Sequence, residues 1–130
     1  MEIDMEVKNN KRSFGAVGER IAKDFLEKNN FDILQMNFRV GRMGEIDIIA
    51  REKEYLCFVE VKTRRNMTFG MPSEAVNYKK QKKIMNLAYV YLKKNILKDC
   101  HVRFDIIEIM YPGQTNQQIN LIRNAFGGSA

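Results

Sequence analysis

Apolar residues recur at Phe14, Val17, Ile21 and Phe25, a spacing that predicts one helical face from Ser13 to about Asn30, with Ser13 as its N-cap. Residues 1–12 show no sustained apolar period, and the GGSA tail has nothing to bury, so 1–12 and 127–130 read as flexible ends. After the helix the period shortens to two. FDILQMNFR, EIDIIAR and EYLCFVEVKT, parted by VGRMG and REKE, predict a three-strand meander. Pro72 or Ser73 can then start a long helix reaching about Lys94. HVRFDIIEIM predicts a fourth strand, and a shorter fifth near QINLIR follows the turn signal Pro112-Gly113.

The second and third strands are apolar on both alternating sets: Ile46, Ile48 and Ala50 against Ile49, then Leu56 and Phe58 against Cys57, Val59 and Val61. Strands of that kind are covered on both faces. The economical arrangement is an α/β fold in which a mixed sheet lies between two helices, in the order αβββαβ with one further strand. At 130 residues the chain can close such a core without disulfides, and a single domain over 13–126 is expected. Cys57 falls in an apolar run and reads as a small hydrophobe; neither it nor Cys100 belongs to a CxxC pattern. With no basic, apolar leader and no run long enough to span a bilayer, the expected setting is the cytoplasm, away from membranes.

Charge adds a partner class. Twenty-two Lys and Arg against sixteen Asp and Glu give a formal net charge of +6, which favours a polyanion. The basic residues cluster at the ends of predicted elements: Lys8, Lys11 and Arg12; Arg39 and Arg42; Arg64 and Arg65; Lys79, Lys80, Lys82 and Lys83. Folded together they could rim one groove.

Two acids break the apolar pattern. Glu60 and Lys62 share one face of the third strand, behind Leu56 and Phe58, and Asp47 interrupts the preceding strand. A Glu-Val-Lys tripeptide alone is most often a solvated ion pair. Asp47 one short turn upstream favours a site, because two desolvated carboxylates on neighbouring strands repel and a divalent cation such as Mg²⁺ relieves both burial and repulsion. Lys80 lies within the apolar stripe Val76, Ile84, Leu87, Ala88 and Tyr91, so it either snorkels or faces something negative. Glu19 borders the stripe of the first helix and fits either a site or a structural role. Gly15 and Gly18 cost helix propensity, which suits either a close backbone approach or an irregular helix start.

GxxGE on the first helix, GEIDIIA on one strand, FVEVK on the next, and FGxPxEAV before the helix bearing Lys80 together resemble the bacterial YraN family, over nearly all of Phe14 to Phe126. That family is similar to the restriction-endonuclease-like superfamily, the PD-(D/E)xK nucleases, and within it to archaeal Holliday-junction resolvases. The resemblance implies a restriction-endonuclease-like fold and an Mg²⁺-dependent DNA endonuclease, with Mn²⁺ as a substitute and branched, Holliday-junction-like DNA as substrate class. It implies Asp47 and Glu60 as metal carboxylates with the Val61 carbonyl as a third ligand, Lys62 as the motif lysine, and Glu19 as the helical acid. Ile46 stands where the motif has proline. Lys80 would add positive potential at the scissile phosphate, and Arg39, Arg42, Arg64, Arg65, Lys79, Lys82 and Lys83 would grip flanking phosphates without reading sequence. DNA is expected ahead of RNA, and resolving a junction by paired cuts implies a homodimer.

The reading from another class is a non-catalytic nucleic-acid-binding module that keeps the fold and the basic rim, with salt-sensitive binding indifferent to EDTA. Histidine-based chemistries lack parts, since His101 is the only histidine and starts a strand. No GxxxxGK[ST] or GxGxxG occurs, against nucleotide hydrolysis and dinucleotide binding. Asp105 and Glu108 read as sheet-edge or supporting groups, and Tyr55, Tyr78, Tyr89 and Tyr91 as core residues that could otherwise stack on bases.

Overall fold

A computed structural model describes residues 3–65, 76–96 and 100–127. Helix α1 (Ile3–Lys28) leads into strands β1 (Asp32–Arg39), β2 (Glu45–Glu52) and β3 (Tyr55–Arg64), followed by helix α2 (Tyr78–Lys94) and strands β4 (His101–Met110) and β5 (Gln118–Phe126). The five strands form one sheet in chain order. β1, β2 and β3 pair antiparallel, β3 and β4 pair parallel across the α2 crossover, and β5 returns antiparallel to β4. The expected mixed sheet with two helices is the arrangement found. No helix among the described residues is long and apolar enough to cross a membrane.

Each helix covers its own core. Ile84, Leu87, Ala88 and Tyr91 of α2 pack with Phe38, Ile49, Leu56, Phe58 and Phe104, while Ala22 and Leu26 of α1 pack with Ile48, Ala50, Cys57, Val59 and Ile107. The meander's double set of apolar residues is thus buried on both sides. Cys57 is an interior hydrophobe, its thiol pushed up to about 12 chiefly by burial.

Three local readings change. α1 begins at Ile3, so Ser13 lies inside the helix rather than capping it. Its most buried line is Gly18, Ala22 and Leu26; Ile21 and Phe25 of the expected line pack beside it, and Val17 is exposed. The reason is steric: a Cβ built on Gly18 would lie 2.0 Å from Thr63 Oγ1, so only the small-residue face can approach β3 so closely. Gly15 has open space around it. α2 starts at Asn77, whose side chain accepts a 2.9 Å hydrogen bond from the Lys80 amide; Pro72 and Ser73 lie outside the described residues. β5, with 9 residues against 10 in β4, is the shorter strand expected to close the sheet, extended to Phe126.

The alternation of β2 also slips. Ile46 joins Ile49 in the α2-side core, whereas Ile48 and Ala50 lie in the α1-side core. Opposite this point, between the pairs Met36↔Ile48 and Phe38↔Ile46, Asn37 takes a left-handed φ of 52°. Such a residue turns the strand, and both strands change face there. The slip falls at Asp47.

At the far end of the sheet Arg103 donates to Asp105 and Glu52, and Arg123 donates to Glu52. Asp105 and Glu108 are therefore not edge groups. β4 is an inner strand, and burial there forces Asp105 onto Arg103 and Glu108 onto Arg64 at 2.9 Å. Hydrogen bonds from Arg123, joined by Arg103, hold the Glu52 carboxyl down to about 2 against the opposing effect of burial. A depressed carboxylate stabilises the fold fully above its ordinary value of 4.5 and loses that contribution as pH falls towards 2. The stability gap between wild type and Glu52→Gln, measured by urea denaturation, should thus be widest near neutrality and narrow below pH 4.5. A gap that stays constant on acidification would contradict this assignment.

Candidate metal and nucleic-acid site

The site forms where two strands part. β3 pairs with β2 only from Tyr55 to Val59, but with β4 as far as Arg64. β2 pairs with β3 no further than Ile48. Beyond that fork the Val61 amide has no strand partner on the β2 side, and Asp47 Oδ2 accepts its hydrogen at 2.8 Å. The slip in β2 is what swings the Asp47 carboxylate into this gap.

Glu60 enters the fork from the α2 side. Its residue is only 4% exposed, and its carboxyl group is electrostatically linked to that of Asp47. Lys80 Nζ stands 2.7 Å from Glu60 Oε2, so the lysine in the apolar stripe faces a carboxylate. A buried carboxylate met by one half-exposed ammonium keeps lone pairs for a ligand or an ion.

Electrostatics divide the two acids. Burial, then the hydrogen bond to Glu60 and the charge of Glu60, push Asp47 far above the usual carboxylate range, while the Val61 amide pulls the other way. For Glu60 burial again opposes ionisation, but the bond to Asp47 and the Lys80 ammonium hold it below its ordinary value. The pair therefore shares one proton, carried by Asp47, and Lys80 balances the remaining charge. Lys80 is held up by Glu60 against burial. The Lys62 ammonium is pushed down by burial and then by the charge of Lys80.

Glu19 reaches the same place from α1. Asn37 Nδ2 donates to Glu19 Oε1 at 2.8 Å and to Glu45 Oε1 at 2.9 Å. Carboxylate oxygens of Glu19, Glu45 and Asp47 lie within 4.8 Å of one another. Sequence reasoning missed Glu45 and Asn37. Period-two alternation could have raised Glu45, which shares its alternating set with Asp47; nothing local marks Asn37, whose role follows from its left-handed backbone.

Five of the chemical residues singled out in the sequence, Asp47, Glu60, Lys62, Lys80 and Glu19, thus converge. The basic residues divide. Lys79 and Lys83 line a cavity of about 320 Å³ beside Lys80, Gly44 and Glu45. Arg42 is exposed in the β1–β2 turn, and Arg39 pairs with Glu45. Arg64 is engaged with Glu108 in a largely buried pair, which makes it part of the scaffold. Arg65 stacks over Phe14 at 4.3 Å and Lys82 over Tyr78 at 5.0 Å. The side chains of Lys8, Lys11 and Arg12 lie outside those described. Of the tyrosines only Tyr91 is core, edge-on to Phe38 and Phe58; Tyr55, Tyr78 and Tyr89 are exposed. His101 tilts against Tyr55 at the other end of β3.

Oxygen donors in a water-poor cleft, two of them carboxylates held together against their charge, fit a hard divalent cation. The buried Glu60 carboxylate beside the Asp47 carboxyl, with one lysine as its counter-ion, is the observation on which that fit rests.

Comparison with known proteins places the chain. The profile of the family described as "Uncharacterised protein family UPF0102" matches residues 18–109. A UPF0102 protein of Acetivibrio thermocellus is 51% identical over 123 residues, covering 92% of this chain and 95% of that protein. One from Caldicellulosiruptor bescii is 47% identical over 90% of this chain and 99% of its own length, and one from Geotalea daltonii 46% identical over 93% and 94%. These matches bear out the family resemblance drawn from the motifs. The chain belongs to the UPF0102 family.

Proposed function

We propose that this protein is an Mg²⁺-dependent DNA endonuclease with a restriction-endonuclease-like fold, acting in the cytoplasm on branched, Holliday-junction-like DNA. The observation that carries this reading is the buried Glu60 carboxylate held beside Asp47 at the fork of two strands, with the Lys80 ammonium 2.7 Å away and Lys62 within its electrostatic reach.

Asp47 and Glu60 would hold the cation, with the Val61 carbonyl as a further ligand and Glu19 in the surrounding shell. When bound, Mg²⁺, or Mn²⁺ in its place, supplies an activated water and balances charge on the phosphate oxygens. Lys62, kept less basic by burial and by Lys80, is suited to orient that water or to neutralise the developing negative charge. Lys80 is released from its role as counter-ion to Glu60 when another cation takes the carboxylates, and its ammonium is then free for the phosphate. Lys79 and Lys83 in the cavity, with Arg39 and Arg42 beside its Gly44–Glu45 edge and Arg65 and Lys82 exposed elsewhere, would supply the phosphate grip. Two symmetric cuts on a junction need two such sites, hence a C2 dimer.

Incubation with duplex, single-stranded and four-way-junction DNA in Mg²⁺ or Mn²⁺ tests the reading. Metal-dependent cleavage, strongest on the junction, is expected. Salt-sensitive binding that ignores EDTA, with no cut in any substrate, would instead make the protein a non-catalytic binding module.

The shared proton gives a separate handle. Because Asp47 holds it at neutral pH, a divalent cation must expel it, and Mg²⁺ affinity should rise by up to about tenfold per pH unit until Asp47 ionises by itself. Calorimetry at pH 6.5 and 8.5, in buffers of different protonation enthalpy, reads this as about one proton released per ion. Affinity unchanged across that interval would show that Asp47 is already ionised.

A further inference from the structure

The inner face of α2 sends Lys80 to the carboxylates; its outer face carries a second pattern. Tyr78 and Tyr89 are 70% and 59% exposed, with Met85 at 40% between them. Each ring has a lysine ammonium over it four residues on: Lys82 Nζ at 5.0 Å from Tyr78 and Lys93 Nζ at 5.1 Å from Tyr89. Residues 78, 82, 85 and 89 recur at helical spacing, on the side away from the buried Ile84, Leu87, Ala88 and Tyr91. The same Tyr–Lys unit thus occurs twice, about 16 Å apart along the axis. Between Tyr78 and Lys94 there are six lysines and no Asp or Glu.

We propose that this face is a stacking track for an unpaired nucleic-acid strand, so that the substrate reaches the site with a single-stranded segment. The inference rests on the nuclease reading for its substrate and adds the strand state. Each exposed ring can offer a face to a base whatever the sequence, the two bases lying a few nucleotides apart, and the ammonium groups beside them meet the intervening phosphates. A helix face with lysines and no acids is complementary to a polyanion, whereas a second copy of itself would bring like charges together. Lys79 and Lys83 lie between this face and the cavity beside Lys80, which joins the track to the carboxylates.

The sequence has no Trp and five Tyr, so intrinsic fluorescence reports the tyrosines directly. The full chain is titrated in EDTA with a fluorescein-labelled thymidine homo-oligonucleotide and with a labelled duplex of equal length, and the label's anisotropy reads binding of every variant on one scale. Single-strand binding should quench the tyrosine emission, and the double variant Tyr78→Ala/Tyr89→Ala should weaken it at least about tenfold, the size of stacking lost at two bases. Duplex affinity should stay within about twofold and the melting temperature should hold, because both rings are exposed. Tyr78→Phe/Tyr89→Phe should bind like wild type, since stacking needs the ring alone. Alanine variants that bind single strands normally, or that weaken single strand and duplex equally, would overturn the track. So would loss of binding only to vesicles of phosphatidylglycerol and phosphatidylcholine, which would make the face a membrane surface. If wild type cuts junctions and the alanine variants both cut and bind normally, this inference falls while the nuclease reading stands. Tyrosine-dependent single-strand binding without cleavage in any metal gives the reverse.

Discussion

Glu60→Gln should abolish metal-dependent cleavage, with a loss at least as large as the roughly 10²- to 10³-fold that follows removal of a single oxyanion donor. The argument is electrostatic. Glutamine keeps the shape of the side chain but offers a neutral carbonyl where the site holds its most persistent negative charge, the carboxylate that Lys80 keeps ionised. It also removes the Glu60 charge that adds to burial in raising Asp47, so the Asp47 carboxyl should come down while burial still holds it above the usual range. Thermal unfolding should move little, because the amide can still accept from the Lys80 ammonium and donate to Asp47. The variant is therefore expected to melt like wild type and cut nothing. Cleavage that survives Glu60→Gln would detach the chemistry from this residue.

The second large effect lies in the scaffold. Gly18→Ala places a methyl group 2.0 Å from Thr63 Oγ1 and 3.1 Å from Thr63 Cβ, and a β-branched side chain on a strand cannot swing clear. Although alanine is the better helix former, overpacking here should cost about 1 to 3 kcal/mol net and push α1 off β3. The neighbouring Glu19 would move with it, away from Asn37 and Asp47, so metal affinity should fall along with stability. Thr63→Ala clears the closest atom and should restore most of both in the double variant. Chemical denaturation of the four proteins forms a double-mutant cycle that reads the contact directly. Additive losses, with no rescue, would mean that Gly18 matters for some reason other than its approach to Thr63.

These two residues show what the sequence made legible. Period-two alternation identified the strands, the 3.6 period identified the helices, and apolar residues on both strand faces required a helix on each side. Asp47 and Glu60 stood out because each violates its local pattern, and Lys80 because a lysine in an apolar stripe needs a partner. What escaped were features fixed by long-range geometry. The buried line of α1 passes through Gly18 and Ala22 to Leu26, because the approach of Gly18 to Thr63 is limited by volume and hydrophobicity does not register that. The slip in β2 depends on the backbone of Asn37 in another strand, so strict alternation set Ile46 with Ile48 when it packs with Ile49. Arg64 looked like a phosphate contact until the parallel pairing of β3 and β4 brought Glu108 beside it.

The most direct measurement on the central claim is a manganese anomalous difference map from crystals of wild type and Glu60→Gln, soaked alike. A cation bridging the Asp47 and Glu60 carboxylates in wild type, and missing from the variant, is the expected result. Manganese found elsewhere, with Lys80 still closed on Glu60, would contradict it.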